Sequence, residues 1–149
     1  MEAVIFAGAQ ASGKSTFYKQ RFFETHVRIN LDMLRTRRRE DLLLRACIEA
    51  KQPLVVDNTN ATAEARTRYI EPAKAAGFTV VGYYFRSRIG ECIKRNSLRE
   101  GRTRVPDKAI GATIKRMQLP SLAEGFDALY YVRIDEDGEF VVEEWFDEV

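Results

Sequence analysis

Residues 8–16 form an unbroken run: Gly8, Ala9, Gln10, Ala11, Ser12, Gly13, Lys14, Ser15 and Thr16. The spacing is G-x-x-x-x-G-K-[ST], and its setting constrains the fold more than the letters do. An apolar run, Ala3–Ala7, comes directly before it and reads as a buried strand. The segment 14–24 behind it can be helical. A strand that turns at once into a helix leaves backbone N–H groups pointing one way at a positive helix end. That is a cradle for phosphate. Gly8 and Gly13 permit turns that a side chain would block. A triphosphate fits the cradle: Lys14 reaches the β- and γ-phosphates, the Ser15 hydroxyl ligates Mg²⁺, and Thr16 bonds the α-phosphate.

The rest of the chain repeats the strand-then-helix order. Apolar runs at Ala3–Ala7, His26–Asn30, Leu54–Asp57, Thr79–Phe85 and Ala128–Ile134 alternate with helical segments near 14–24, 31–50, 62–76, 90–100 and 107–118. Polar residues interrupt the apolar face of the second helical segment and predict a break near Arg38. Alternation of this kind predicts an α/β fold, a P-loop NTPase of the kinase type with a parallel sheet flanked by helices. The strands are rich in Val, Ile, Phe and Tyr, as burial on both faces requires. Near the C-terminus, Tyr130–Ile134 and Phe140–Trp145 flank Asp135-Glu136-Asp137-Gly138, which reads as the turn of a β-hairpin.

With 149 residues, 45% apolar and 31% charged, the chain is expected to be one globular domain over 1–149. It has no apolar run near the ~20 residues of a membrane span and no secretory pattern at its start, so a cytoplasmic location is expected. Cys47 and Cys92 sit on apolar helix positions without ligand-bearing neighbours and read as buried free thiols. The net charge of +2 conceals an asymmetry: residues 86–116 carry ten Lys or Arg and three Asp or Glu, whereas 117–149 carry one Arg and ten acids. Arg35, Arg37, Arg38 and Arg39 form a second basic cluster. Both clusters are candidate phosphate contacts, and both are equally ordinary as solvated faces.

Three segments narrow the chemistry. In Asn30-Leu-Asp32-Met-Leu-Arg35, Asp32 follows the second strand and stands at the lip of the sheet. There it can take a proton from an attacking hydroxyl or serve as a helix N-cap; the spacing fits both. The planar fork of Arg35 suits an acceptor phosphate. In Val55-Val-Asp57-Asn58-Thr59-Asn60, Asp57 ends a buried strand and fits a Walker-B role, holding Mg²⁺ through water; Asn58 begins a polar rim. Arg35, Asp57 and Asn58 form the expected substrate side. In Lys94-Arg95-Asn-Ser-Leu-Arg99, followed by Gly101, Arg102, Arg104 and Pro106, Arg95 and Arg99 are placed on one helix face. The stretch reads as a lid whose arginines close on the transferring phosphate.

These segments together resemble the kinase domain of the 5′-hydroxyl polynucleotide kinases. The resemblance runs through GAQASGKST, NLDMLR, VVDNTN, ARTRYIEPAKAAGF, KRNSLREG and the terminal LAEGF at 122–126. It implies an ATP- and Mg²⁺-dependent phosphotransferase acting on a 5′-OH end of DNA or RNA. Asp32 would be the general base, Arg35 the ligand of the acceptor's 3′-phosphate, and Lys14, Ser15 and Thr16 the ATP and Mg²⁺ ligands. Arg99 and, after it, Arg95 would be lid arginines. Two other readings share the loop: a kinase for a small metabolite or nucleoside, and a nucleotide-binding regulatory module. The pairing of Asp32 with a lid argues against the last.

Overall fold

The computed structural model describes residues 1–146. Six strands form one sheet in the order β2-β3-β1-β4-β5-β6. They are β1 (Glu2–Ala7), β2 (Val27–Ile29), β3 (Leu54–Asp57), β4 (Thr79–Phe85), β5 (Ala128–Ile134) and β6 (Phe140–Glu144). The first five are parallel, and β6 returns antiparallel to β5. The helices are α1 (Lys14–Arg21), α2 (Leu31–Leu34), α3 (Arg37–Ala50), α4 (Ala63–Ala75), α5 (Ile89–Ser97) and α6 (Asp107–Arg116). This is the α/β fold with a parallel sheet flanked by helices expected from the sequence, with its C-terminal hairpin. Asp135 makes the hairpin turn: its Oδ1 accepts the N–H groups of Asp137 and Glu139.

Alternate residues of the central strand feed two cores, which is why β1 is apolar throughout. Ala3 and Ile5 pack with Leu44 and Cys47 of α3 and with Tyr69, Ile70 and Ala73 of α4. Val4 and Phe6 pack on the other face with Phe17 and Tyr18 of α1. The Phe6, Phe17 and Phe85 rings meet edge-on or tilted, with centroids 4.9 to 5.9 Å apart. Helices on both faces leave the carboxyl ends of the strands as the open end, where ligands of such sheets collect. Both cysteines are buried and free. No helix among the described residues is long and apolar enough to cross a membrane.

Helix boundaries depart from the sequence reading in three places. The segment expected over 31–50 divides at Arg35–Thr36 instead of near Arg38. Arg35 takes a left-handed φ of 78°, and the Thr36 side chain then accepts the Arg39 N–H to cap α3. Polar residues at 37–39 start a helix; they do not interrupt one. Helix α1 stops at Arg21, short of residue 24, because Phe22 closes it onto the Tyr18 carbonyl. Helix α5 ends at Ser97, so Arg99 lies beyond the helix that was expected to carry it beside Arg95.

A buried ion pair explains why the ARTRY and LAEGF segments occur together. Arg66 of α4 is fully buried. Its Nε and Nη2 donate to the Glu124 carboxylate at 2.7 and 3.1 Å, and its Nη1 to the Asn60 carbonyl at 2.8 Å. Glu124 completes a capping box with Ser121 at the 122–124 turn. Removing one member of a buried, hydrogen-bonded pair strands the other in a medium that solvates it poorly. Arg66→Met should therefore lower the unfolding free energy by about 3 kcal/mol or more, read from urea denaturation. A loss within ~0.5 kcal/mol, the range of ordinary surface substitutions, would show that the pair adds little to the fold.

Candidate active site

The loop between β1 and α1 has the conformation its glycines anticipate. Gly13 caps α1 at φ 103°, and a Cβ there would stand 2.9 Å from the Phe140 ring of β6. Ala11 takes a left-handed φ of 63° without a glycine's freedom. The loop is tied to the sheet through the Gly8 N–H, which donates to the Thr59 carbonyl, and the Ala9 N–H, which donates to Ser87 Oγ. Helix α1 has no side-chain cap and no acid in its first turn, so its first N–H groups remain available to an anion. Among the described residues, the buried Ser12 Oγ and Gln10 Oε1 find no hydrogen-bond partner. A hydroxyl left unpaired in a loop of N–H donors fits a phosphate oxygen.

Lys14 curls over this loop, 9% exposed, and donates to the Gly8 and Ala9 carbonyls at 3.0 and 2.8 Å. Burial pulls its ammonium down to about 8, Arg99 adds to the fall, and Asp57 opposes it. Register explains the carboxylate's place: Phe6 of β1 pairs with Asp57 of β3, two residues before Gly8. Asp57 is 1% exposed and accepts the Ser15 hydroxyl on Oδ2 at 2.9 Å. A hydroxyl and a carboxylate this close are hard oxygen donors of the kind Mg²⁺ takes, with phosphates and water supplying the rest of the octahedron. The described residues hold no cluster of three or more His, Cys, Asp or Glu able to bind a metal alone. A Mg²⁺ ion here would thus depend on ligands from the nucleotide.

The loop opens onto a cleft of about 880 Å³ at the carboxyl ends of β1, β2 and β3. Asp32 is exposed on its lip. It is not the helix cap: Asn30 is, accepting the Met33 N–H on its side-chain oxygen at 2.9 Å and anchoring itself to the Asp57 carbonyl through Nδ2 at 2.6 Å. Asp32 is left without that structural task. Asn58 fixes the same turn from below. Its Oδ1 accepts the Leu31 N–H, and its Nδ2 donates to Glu40 Oε2 and the Tyr69 hydroxyl. Glu40 is fully buried and also accepts from Tyr69 and Arg37 at 2.9 and 2.8 Å. Burial and the Glu40 charge push the Tyr69 phenol up to about 12, so it stays a donor.

The remaining sequence candidates divide. Arg99 lines the cleft with Arg102, and Arg37 and Arg116 line it as well. Arg95 instead donates to the Ala11 carbonyl at 3.3 Å, and it lines a second concavity between α5 and the β5–β6 turn. Arg35 is exposed at the end of α2 and is not among the residues lining the cleft. Sequence reasoning missed Arg28, Glu40 and Arg116. It also missed Asn96, which is fully buried at the base of the lid stretch. Asn96 donates to the Val105 carbonyl and Asp107 and accepts the Val105 N–H.

A sequence-family profile described as AAA domain matches residues 4–120. The chain belongs to that family. The bifunctional polynucleotide phosphatase/kinase of Schizosaccharomyces pombe is 29% identical over 133 residues, which is 84% of this chain and 32% of that protein. This chain thus spans about a third of that relative's length. Among solved structures, Kti12 of Chaetomium thermophilum, in complex with ADP–AlF3, superposes with a TM-score of 0.66 at 14% identity, covering 91% of this chain and 92% of that one. A gluconokinase from Sinorhizobium meliloti 1021 gives 0.61 at 17% identity, covering 91% and 83%. At such identities the likeness is one of fold, and the fold is that of a P-loop kinase-like domain.

The lowered Lys14 ammonium gives this domain a signature at alkaline pH. Above about 8 the free side chain is mostly neutral. A polyphosphate placed against it favours the charged form and draws a proton back. Binding of ADP at pH 8.5 should therefore take up protons, and binding at pH 6.5 should take up fewer through this group. Calorimetry in buffers of different ionisation enthalpy measures the uptake. Lys14→Met should lose the uptake at pH 8.5, where the phosphates of ADP are already fully ionised. Equal uptake in the variant and the parent would remove Lys14 from the phosphate site.

Proposed function

We propose that this domain is an ATP-dependent kinase that transfers the γ-phosphate to the 5′-hydroxyl of a polynucleotide. The observation that carries the reading is the exposed Asp32. It has no capping duty and shares one cleft with Lys14, Ser15 and Asp57 on one side and several arginines on the other. The identity with the phosphatase/kinase over 84% of the chain supports the acceptor class.

In this reading, the hydroxyl oxygen attacks the γ-phosphorus, Asp32 takes the hydroxyl proton, and the bond to the β-phosphate oxygen breaks to release ADP. Ser15 and, through water, Asp57 would hold Mg²⁺, which neutralises phosphate charge as the transfer proceeds. Lys14 would stabilise the β- and γ-phosphates, with the loop 8–16 as cradle. Arg99 and Arg102 would cover the transferring group from the lid side. On the acceptor side, Arg35 is assigned to the 3′-phosphate by resemblance alone, and Arg37 and Arg116 stand on the cleft wall.

Transfer of label from γ-labelled ATP to 5′-OH oligonucleotides tests the reaction, with small hydroxyl metabolites run beside them. Asp32→Asn should lower kcat by about 10²- to 10⁴-fold, the range a general base supplies, and leave ATP affinity unchanged. A parallel fall in ATP binding would place Asp32 in the nucleotide site and the base elsewhere.

Salt dependence tests the acceptor. Two or three phosphate contacts on a single strand give a log–log slope of roughly −1.4 to −2. Anisotropy of a labelled 5′-OH oligonucleotide should show that slope, and neutralising Arg116, on the acceptor side, should make it shallower by roughly 0.7 while sparing ATP. Transfer to a metabolite without salt-dependent oligonucleotide binding would replace the polynucleotide with a small acceptor.

A further inference from the structure

Arg28 belongs to β2, where it pairs in register with Val55, and its stem carries the guanidinium carbon 5.9 Å from the Tyr18 ring. The head reaches beyond the strand to the two groups read above as the Mg²⁺ ligands. Its Nε and Nη2 both lie 2.9 Å from Asp57 Oδ2, and Nη2 also donates to Ser15 Oγ at 3.0 Å. With the Ser15 hydroxyl at 2.9 Å, Oδ2 thus accepts two hydrogen bonds, and the Nη2 charge lies against it as well. A carboxylate oxygen offers about two lone-pair sites, so this atom is saturated. A metal ion, or a water of its shell, can use Oδ2 only by displacing one of the two.

We infer that Arg28 is a resident counter-cation at the Ser15–Asp57 pair. It excludes a free divalent ion and yields to one that arrives with nucleotide phosphates, so metal binding is coupled to nucleotide binding. This inference rests on the reading of Ser15 and Asp57 as metal ligands. Charge at the site supports it. Lys14, Arg28 and Arg99 all line the cleft, with Asp57 and Asp32 as its acids. One more dication is disfavoured in that field. A bound polyphosphate reverses the local sign and makes room for both cations. The guanidinium is not enclosed: the Arg28 side chain is 27% exposed, and Nη1 meets only Met33 Sδ, at 3.9 Å.

The opposite role, a residue that merely orients Asp57 for the metal, predicts the opposite sign, and Mn²⁺ titration separates the two. Free Mn²⁺ is followed by electron paramagnetic resonance, with and without ADP, for the parent chain, Arg28→Gln, Arg28→Met and Arg28→Lys. Without ADP, Arg28→Gln should bind Mn²⁺ at least about tenfold more tightly than the parent, because the competing charge is gone. Arg28→Met keeps the stem on Tyr18 and should do the same, while Arg28→Lys retains a cation and should stay near the parent. ADP should narrow the gap among all four.

Thermal melting gives a second readout that does not need high stability. Mn²⁺ alone should raise the Tm of Arg28→Gln and Arg28→Met more than that of the parent, since the ion replaces the lost partner of buried Asp57. Unchanged or weaker Mn²⁺ binding by the two neutral variants, with ADP affinity retained, overturns the inference and leaves the metal site standing. Absence of Mn²⁺ binding by every protein, even with ADP, overturns the inference and the metal reading together.

Discussion

Pairing of Phe6 with Asp57 across β1 and β3 determines where everything else in the cleft can stand. Adjacent parallel strands in this register end level with each other. The loop after one and the carboxylate at the end of the other must therefore meet. Ser15, one residue into α1, lies within hydrogen-bond reach of Asp57 only because both strands stop there. The same strand end carries Asn58, which holds the Leu31 N–H and so the turn bearing Asp32. A slip of one residue would turn Asp57 to the opposite face of the sheet and lose all three relations.

Two buried polar networks hold the surroundings of that junction, and they differ in kind. Arg66 and Glu124 are not among the residues lining the cleft, and they meet its wall only through the Asn60 carbonyl. Their work is architectural: Asn60 also donates to the Phe6 carbonyl, which fastens the loop after β3 to the last turns of β1. Tyr69, Asn58 and Arg37 stand on the cleft wall instead, with the fully buried Glu40 behind them. A fully buried carboxylate with three donors is costly to leave half satisfied. The network therefore keeps α3, α4 and the Asp32 turn in one arrangement.

Much of the fold was legible because its signals are local. Apolar runs marked all six strands, and the G-x-x-x-x-G-K-S spacing marked the strand–loop–helix turn. Asp57 was legible as a strand-ending acid. What stayed hidden depended on contacts distant in sequence. Arg28 looked like any residue of a short strand, and only the β2–β3 pairing brings it to Asp57. Glu40 looked like a surface acid in a run of charges, yet it is fully buried because α4 delivers Tyr69 and the loop after β3 delivers Asn58. The break after α2 was placed late because Arg35, a residue without glycine's freedom, adopts the left-handed turn. The ARTRY and LAEGF segments stood out as family features, and Arg66 of the first pairs with Glu124 of the second.

The contact between Gly13 and Phe140 ties the phosphate loop to a strand that begins 127 positions later in the chain. The loop is thus braced by a segment synthesised long after it. During translation, β1, α1 and the loop can emerge and collapse on their own phenylalanines. The wall behind Gly13 is missing until the hairpin leaves the ribosome and adds β5 and β6 to the sheet. The wall behind the phosphate loop is therefore complete only once β6 has been synthesised.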